Sequence, residues 1–146
     1  MYKCIVAGYD GSNAGEYAVR RAAQLARTFG SKLYIVTVVP VPIMLLGEMM
    51  IPEAMDVEKY VEPAKRRLEE LTARVREEYQ VDVERLVITG DPAEKIVETA
   101  KERGCKLIVV GRRGRGFLER LFLGSVSSKV SSLSKDADVL IVSPSV

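Results

Sequence analysis

Histidine is absent from the 146 residues, and cysteine occurs only twice. The lack of histidine excludes Ser-His-Asp and Cys-His catalysis, imidazole metal sites and histidine acid–base chemistry. Cys4 and Cys105 have neither the CxxC spacing of a redox motif nor metal ligands beside them. We therefore predict no metal site, no catalytic residue of these classes, and two buried, reduced thiols.

Long apolar runs are also missing. No segment approaches the ~20 apolar residues of a membrane-spanning helix, and "MYKCIVAGYDG" is typical of a strand rather than of a signal peptide. We expect a cytoplasmic protein. The formal net charge of +2 is too balanced to indicate a dedicated nucleic-acid binder. The length and the 47% hydrophobic content predict one globular domain, residues 1–146.

What remains is a regular alternation of strands and helices. Apolar runs predict five strands: "CIVAGYD", "KLYIVTVV", "VERLVIT", "CKLIVVG" and "ADVLIVSPSV". Helical spacing predicts three helices. The first runs from a capping box of Asn13 and Glu16 to Gly30, and the second is started or kinked by Pro63. The third is capped by Asp91, with Glu94 as its capping-box partner. This order predicts an α/β fold, a parallel sheet with helices on both faces. Ligands bind such sheets beyond the carboxyl ends of the strands.

The stretch "GRRGRGFLERLFLGSVSSKV", residues 111–130, follows the fourth strand with four glycines and four arginines. Glycines after a buried strand let backbone amides approach an anion, and the N-terminus of the following helix favours negative charge. Phosphate suits this arrangement. However, the chain has no GxxxxGK[ST] motif, and "GYDGSNAG" after the first strand lacks the GxGxxG order. P-loop chemistry and NAD binding are therefore disfavoured.

The glycine pattern carries a family resemblance. Gly111 and Gly114, followed by Gly124 and Ser125, together with "YDGS" after the first strand, resemble the ATP-binding branch of the universal stress protein family. The likeness extends over the whole chain, including "GDPAEKIV". It implies a single-domain, Rossmann-like, five-stranded parallel sheet of order 3-2-1-4-5, similar to the adenine nucleotide alpha hydrolases. In that order Cys4 and Cys105 share one level of adjacent strands, so we predict that they are close. The reducing cytoplasm is expected to keep them unbonded.

The resemblance also implies a ligand, ATP with Mg²⁺, and a set of site residues. Asp10 is implied as a ribose or adenosine contact and Val38 as an adenine contact through its backbone, with Gly8 and Tyr9 flanking the pocket. The implied phosphate positions and their neighbours are Gly111, Gly114, Gly124, Ser125 and Ser127, the lining residues Val110 and Val126, and the loop arginines Arg112 and Arg113. Replacing Gly124 with Val is expected to lower ATP affinity about tenfold or more, and Arg113→Ala to cost less.

Each of these features also has a structural explanation. Asp10 is able to cap a turn, Gly11 to supply a positive φ, and Ser125 to cap a helix. The four arginines of residues 111–130 suit a solvated loop, phosphate neutralisation or nonspecific nucleic-acid contact. Nucleic acid is disfavoured because only Phe117 and Phe122 lie nearby for stacking. The features taken together favour a nucleotide site.

The methionine-rich segment from Pro40 to Met55 and the last strand suggest interactions. The segment is interpreted as a lid, as a surface for a protein partner, or as a connection that buries its own apolar side chains. The last strand is apolar with little charge at its edge, which predicts a homodimer formed through it.

Two functional classes compete for the nucleotide site. One is an ATP-binding regulatory module of the stress response, and the other is a slow ATPase or phosphotransferase. The sequence offers no general base beyond Asp10, no Walker acid and no HxGH signature, so binding with little turnover is favoured. A flavin-binding role is a more distant alternative.

Overall fold

The computed structural model describes residues 1–40, 58–112 and 125–144. Five strands and four helices alternate within these ranges. The strands are β1 (Cys4–Gly8), β2 (Lys32–Val39), β3 (Val83–Thr89), β4 (Leu107–Gly111) and β5 (Asp138–Val142). The helices are α1 (Asn13–Phe29), α2 (Glu58–Tyr79), α3 (Pro92–Arg103) and α4 (Ser125–Leu133). The described helices include none that is long and apolar enough to cross a membrane.

The strands form one parallel sheet in the order β3-β2-β1-β4-β5, which confirms the predicted fold class and strand order. Ile5 of β1 lies beside Leu33 of β2 on one side and Leu107 of β4 on the other. The chain winds outward from β1 in both directions, so the order reverses between β1 and β4. Such a reversal leaves a crevice at the carboxyl ends of the strands.

Both faces of the sheet are covered by helices, because the central strands are apolar on both sides. All five residues of β1 are buried. One core packs alternate strand residues, such as Ile5 and Ile35, against α1 and α2, including Leu68 and Leu71. The second core packs the opposite face, including Val6 and Val36, with Ile96 of α3 and Val130 of α4.

The helix ends follow the capping residues, with one correction. Asp91 accepts a hydrogen bond from the Glu94 amide at 3.0 Å and starts α3, as predicted. The first helix is capped by Ser12, whose side chain accepts from the Gly15 amide, and not by Asn13, which is its first helical residue. Ser12 lies one residue before Asn13, and its hydroxyl oxygen takes the capping role that was expected of the Asn13 side chain. The extended backbone of Ser12, at φ −83° and ψ 164°, suits a cap.

Other boundaries differ from the sequence prediction by a few residues. β1 ends at Gly8, two residues before Asp10, and β4 begins at Leu107, two residues after Cys105. Pro63 lies inside α2, near its start. Pro63 is the sixth helical residue, so α2 lacks the hydrogen bond that an amide there would donate to the Lys59 carbonyl.

The prediction that the two cysteines are close is confirmed, but the prediction that they are unbonded is wrong. Cys4 and Cys105 form a disulfide with their Cα atoms 4.9 Å apart. Both side chains lie in the core that packs α3 and α4 against the sheet, and both are buried. Adjacent parallel strands place the two residues within disulfide range, as the predicted strand order implied. Only the reduced state, which was expected from the predicted cytoplasmic location, is corrected.

Candidate functional site

A cleft opens at the carboxyl ends of β1, β2 and β4, where the strand order reverses. Its volume of about 810 Å³ falls within the range of about 300–1,000 Å³ typical of small-molecule sites. The strand ends form its floor, α2 forms one wall, and the first turns of α3 and α4 contribute to the other. Nine of the predicted site residues line it: Gly8, Tyr9, Asp10, Val38, Val110, Gly111, Ser125, Val126 and Ser127.

Asp10 is held at the start of α1 by a local hydrogen-bond network. Its Oδ1 accepts from the Ser12 amide at 2.9 Å and from the Ser12 hydroxyl. Ser12 Oγ in turn accepts from the Gly15 amide at 3.0 Å. In the described part of the chain, Oδ2 has no hydrogen-bond donor. The carboxylate is therefore oriented through one oxygen, and the other remains available to a ligand hydroxyl.

Glycines allow the strand ends to pack closely around the cleft. A Cβ at Gly111 would lie 2.7 Å from the Ala14 carbonyl oxygen, and a Cβ at Gly8 would lie 2.8 Å from Ile96 Cδ1. The first contact is to backbone, which has little freedom to move aside. Gly111 thus has a packing role at the junction of β4 and α1, in addition to the phosphate contact predicted for it.

The first turn of α4 is fixed at the edge of the cleft by contacts to two other elements. Ser127 Oγ donates to the Arg112 carbonyl at 2.8 Å. Two residues further on, Lys129 Nζ lies 3.0 Å from Asp91 Oδ2 and 3.7 Å from Glu94 Oε1, at the start of α3. A helix N-terminus held in this position offers backbone amides and a positive dipole end to an anion.

Arg112 occupies a different place from its predicted neighbours. Its amide donates to the carbonyl of Val142, the last residue of β5, at 2.8 Å. Its Nε donates to Ser143 Oγ at 2.8 Å, so the guanidinium contacts the residue that follows β5. A phosphate contact by this side chain stays a prediction. The predicted residues Arg113, Gly114 and Gly124, the arginines Arg115 and Arg120, and residues 41–55 lie outside the described residues.

Several residues of the cleft were not identified from the sequence. Among them are Ser12 and Gly15 at the start of α1, Thr37 on β2, and Lys59 and Arg67 on α2. Ser12 and Gly15 had a usable signal, because a serine and a glycine two and five residues after Asp10 suit a cap and a close approach. The α2 residues had none, because helical periodicity does not show which end of a helix borders a cleft.

The charged residues among the described lining residues are Asp10, Lys59 and Arg67. Burial raises the pKa of the Tyr9 hydroxyl, and Glu16 raises it further, whereas Arg67 and Arg74 oppose the shift. Tyr9 is therefore neutral at physiological pH and able to act as a hydrogen-bond donor. The described residues hold no group of three or more His, Cys, Asp or Glu side chains arranged to bind a metal ion.

Comparisons with known proteins agree with this architecture. The model of the Universal stress protein family matches residues 1–143. Universal stress protein YxiE of Bacillus subtilis is 34% identical, covering 97% of this chain and 99% of that protein. A crystal structure of a universal stress protein in complex with cAMP is 34% identical, with a TM-score of 0.73 over 99% of this chain and 98% of that one.

A further solved structure is the universal stress protein from Archaeoglobus fulgidus in complex with dAMP. It is 26% identical, with a TM-score of 0.66, and the match covers 97% of each chain. The parallel sheet of order 3-2-1-4-5, the cleft at its switch point and the family match over nearly the whole chain lead to one conclusion. The chain belongs to the universal stress protein family.

Proposed function

We propose that the cleft binds ATP and that the protein acts as a nucleotide-dependent regulatory module with little or no ATP turnover. The observation that carries the proposal is the Asp10 carboxylate at the switch point of the sheet. Its Oδ1 is held by Ser12, and its Oδ2 has no hydrogen-bond donor among the described residues. The relatives whose structures contain cAMP and dAMP support an adenine nucleotide as the ligand.

In this proposal the nucleotide lies across the carboxyl edge of the sheet. The adenine contacts the backbone at Val38, and the ribose hydroxyls donate to Asp10 Oδ2. The phosphates extend toward Gly111 and the first turn of α4, where helix amides favour negative charge. Residues 113–124, which include Gly114 and Gly124, connect these two elements in sequence and complete the proposed phosphate site.

Little turnover is expected because the described lining residues include one carboxylate, Asp10. Its Oδ1 is engaged by Ser12, and the proposal assigns Oδ2 to the ribose. It is thus poorly placed to orient an attacking water. Mg²⁺ bound to the phosphates would contribute electrostatic stabilisation. We expect a turnover well below the ~1 per second typical of phosphoryl-transfer enzymes.

The test is titration calorimetry with ATP on the parent protein and on Asp10→Asn. The amide keeps an acceptor for the Ser12 donors but loses the charge and one of the two equivalent oxygens. We expect ATP affinity to fall about tenfold, or about 1.4 kcal/mol, with the fold retained by circular dichroism. Asp136→Asn, an exposed carboxylate far along the chain, is the control. A parent protein that binds no ATP, or equal affinity in Asp10→Asn, would contradict the proposal.

A further inference from the structure

Two buried hydroxyls of the described residues have no hydrogen-bond partner. They are Thr37 Oγ1 on β2 and Thr72 Oγ1 on α2. Thr37 is 6% exposed and Thr72 is fully buried. An unsatisfied polar atom in the interior is unfavourable, and such atoms are rare in folded proteins. Valine has nearly the same shape as threonine and would avoid the free-energy cost of a buried hydroxyl without a partner. The presence of each hydroxyl therefore needs an explanation.

The two threonines differ in their surroundings. Thr37 is one of the residues that line the cleft. Thr72 lies among the core residues of α2, near Leu71 and Val75, and is not one of the lining residues. Rotation of the Thr37 side chain would therefore bring its hydroxyl to a ligand in the cleft, whereas Thr72 lies outside the cleft. Thr72 serves as an internal control for the cost of an unsatisfied hydroxyl.

The place of Thr37 in the sheet indicates which part of a ligand it would meet. It directly precedes Val38, the proposed backbone contact for adenine, near the carboxyl end of β2. Side chains alternate along a strand, so Thr37 shares the face of Ile35, toward α1 and α2. On the neighbouring strand, Tyr9 follows β1 on the same face and donates its amide to the Val36 carbonyl at 2.9 Å.

We propose that Thr37 is a specificity residue whose Oγ1 accepts a hydrogen bond from the 6-amino group of a bound adenine. This inference rests on the proposed nucleotide binding. A hydroxyl has lone pairs for the amino hydrogens and one hydrogen for an adjacent ring nitrogen, so it matches the adenine edge. Sites built to hydrogen-bond a polar ligand group reject analogues that lack the group, because the protein atom is then left buried without a partner.

The proposal predicts opposite effects of one substitution on stability and on binding. Thr37→Val removes the unsatisfied hydroxyl, so the melting temperature of the ligand-free protein is expected to rise by about 1–4 °C. It also removes the acceptor, so the dissociation constant for ATP is expected to rise about three- to tenfold. Thr37→Ser keeps the hydroxyl and is expected to bind ATP within about twofold of the parent.

The experiment is titration calorimetry of the full chain with ATP and with purine riboside 5′-triphosphate, which lacks the 6-amino group. The expected result is that Thr37→Val weakens ATP binding and leaves purine riboside triphosphate binding unchanged. Thr72→Val is the matched control, with a similar change in stability and no change in affinity for either nucleotide. Circular dichroism of all variants confirms folding.

The outcomes separate this inference from the proposed function. If the parent protein binds neither nucleotide, the proposed function fails. If the parent binds ATP but Thr37→Val binds it equally well, only the role of Thr37 is overturned. Equal weakening of both nucleotides in Thr37→Val would also overturn it, because the hydroxyl would then act on another part of the ligand or on the shape of the cleft.

Discussion

At the scale of single residues, the cleft depends on positions where a Cβ does not fit. Gly15 lies in the first turn of α1, where alanine would normally be favoured by helix propensity. A Cβ there would lie 2.8 Å from Asp10 Oδ1 and 3.3 Å from the Asp10 nitrogen. The glycine therefore preserves the position of the carboxylate at a cost in helix propensity.

We predict that Gly15→Ala lowers ATP affinity at least threefold while changing the free energy of unfolding by less than about 1 kcal/mol, because the gain in helix propensity offsets the steric strain. Titration calorimetry and urea unfolding measure the two effects. Gly30→Ala is the control. Its φ of +67° disfavours a side chain, but nothing lies within 4 Å of the added Cβ. It should destabilise the fold by about 1 kcal/mol without affecting binding. Unchanged ATP affinity in Gly15→Ala, or weakened ATP binding in Gly30→Ala, would contradict the prediction.

The sequence predicted the residues of the site only where local chemistry determines them. Asp10, Gly111 and Ser125 follow strand ends or begin a helix, and family resemblance supplied their roles. Thr37 and Arg67 were missed, because a threonine in an apolar strand and an arginine on a polar helix have no local pattern that marks a cleft. Their place depends on how α2 packs on the sheet, which no short segment encodes.

At the scale of elements, α3 and α4 are connected by charge at their cleft ends. Asp91 accepts from the Glu94 amide and contacts Lys129 of α4 at 3.0 Å. These two interactions, the amide first and the ammonium second, hold the pKa of Asp91 below its ordinary value of 3.8. The same contact raises the pKa of Lys129. The link orients the helix whose N-terminus borders the proposed phosphate site.

This shift has a defined sign in the dependence of stability on pH. Because folding lowers the pKa of Asp91, its contribution is present above pH 3.8 and is lost as the pH falls below it toward the folded pKa. We predict that Asp91→Asn is less stable than the parent at pH 7 and that the difference narrows as the pH falls below 3.8. Urea unfolding across this range is the measurement, with Asp136→Asn as control. A difference that stays constant as the pH falls below 3.8 would show that the charge is not its source.

The disulfide joins the first residue of β1 to Cys105, two residues before β4. It connects residues separated by 101 positions, and a loop of this size corresponds to about 4–5 kcal/mol of stabilisation in the chain-entropy model. We predict that a reducing agent lowers the melting temperature of the parent but not that of the Cys4→Ala/Cys105→Ala variant. Thiol titration of the parent in denaturant without reductant should find no free thiol. Two free thiols per chain would restore the sequence-based prediction.

At the scale of the whole molecule, the fold was predictable because every level of the sequence agrees. Buried apolar strands such as β1, caps such as Asp91, and stop signals such as Gly30 alternate in the order that a parallel sheet requires. The state of the cysteines was predicted wrongly because compartment, rather than geometry, was used to decide it. The pairing of β1 with β4 predicted correctly that the thiols are close, but no local sequence pattern shows whether two close thiols are oxidised.

The two edges of the sheet differ in how well they are protected from association. β3 carries Glu84 and Arg85, and Glu84 contacts Lys32 and Arg103 at 3.3 Å. β5 has one charged residue, Asp138, followed by four apolar residues, and in the described part of the chain its pairing is with β4 alone. Charged side chains on an edge strand discourage pairing with another chain, and an apolar edge invites it. This contrast favours β5 as the place where two copies would meet.

We predict a homodimer in which β5 of two copies associate. Sedimentation at micromolar concentration should give about twice the 16.2 kDa of one chain, and the melting temperature should rise with protein concentration because dimerisation stabilises the folded state. Ile141 on β5 and Ile88 on β3 form a matched pair, since both are half-buried isoleucines on edge strands that pack against the same core. Ile141→Lys should give a monomer, and Ile88→Lys should remain a dimer. A parent protein that sediments as a monomer would contradict the prediction.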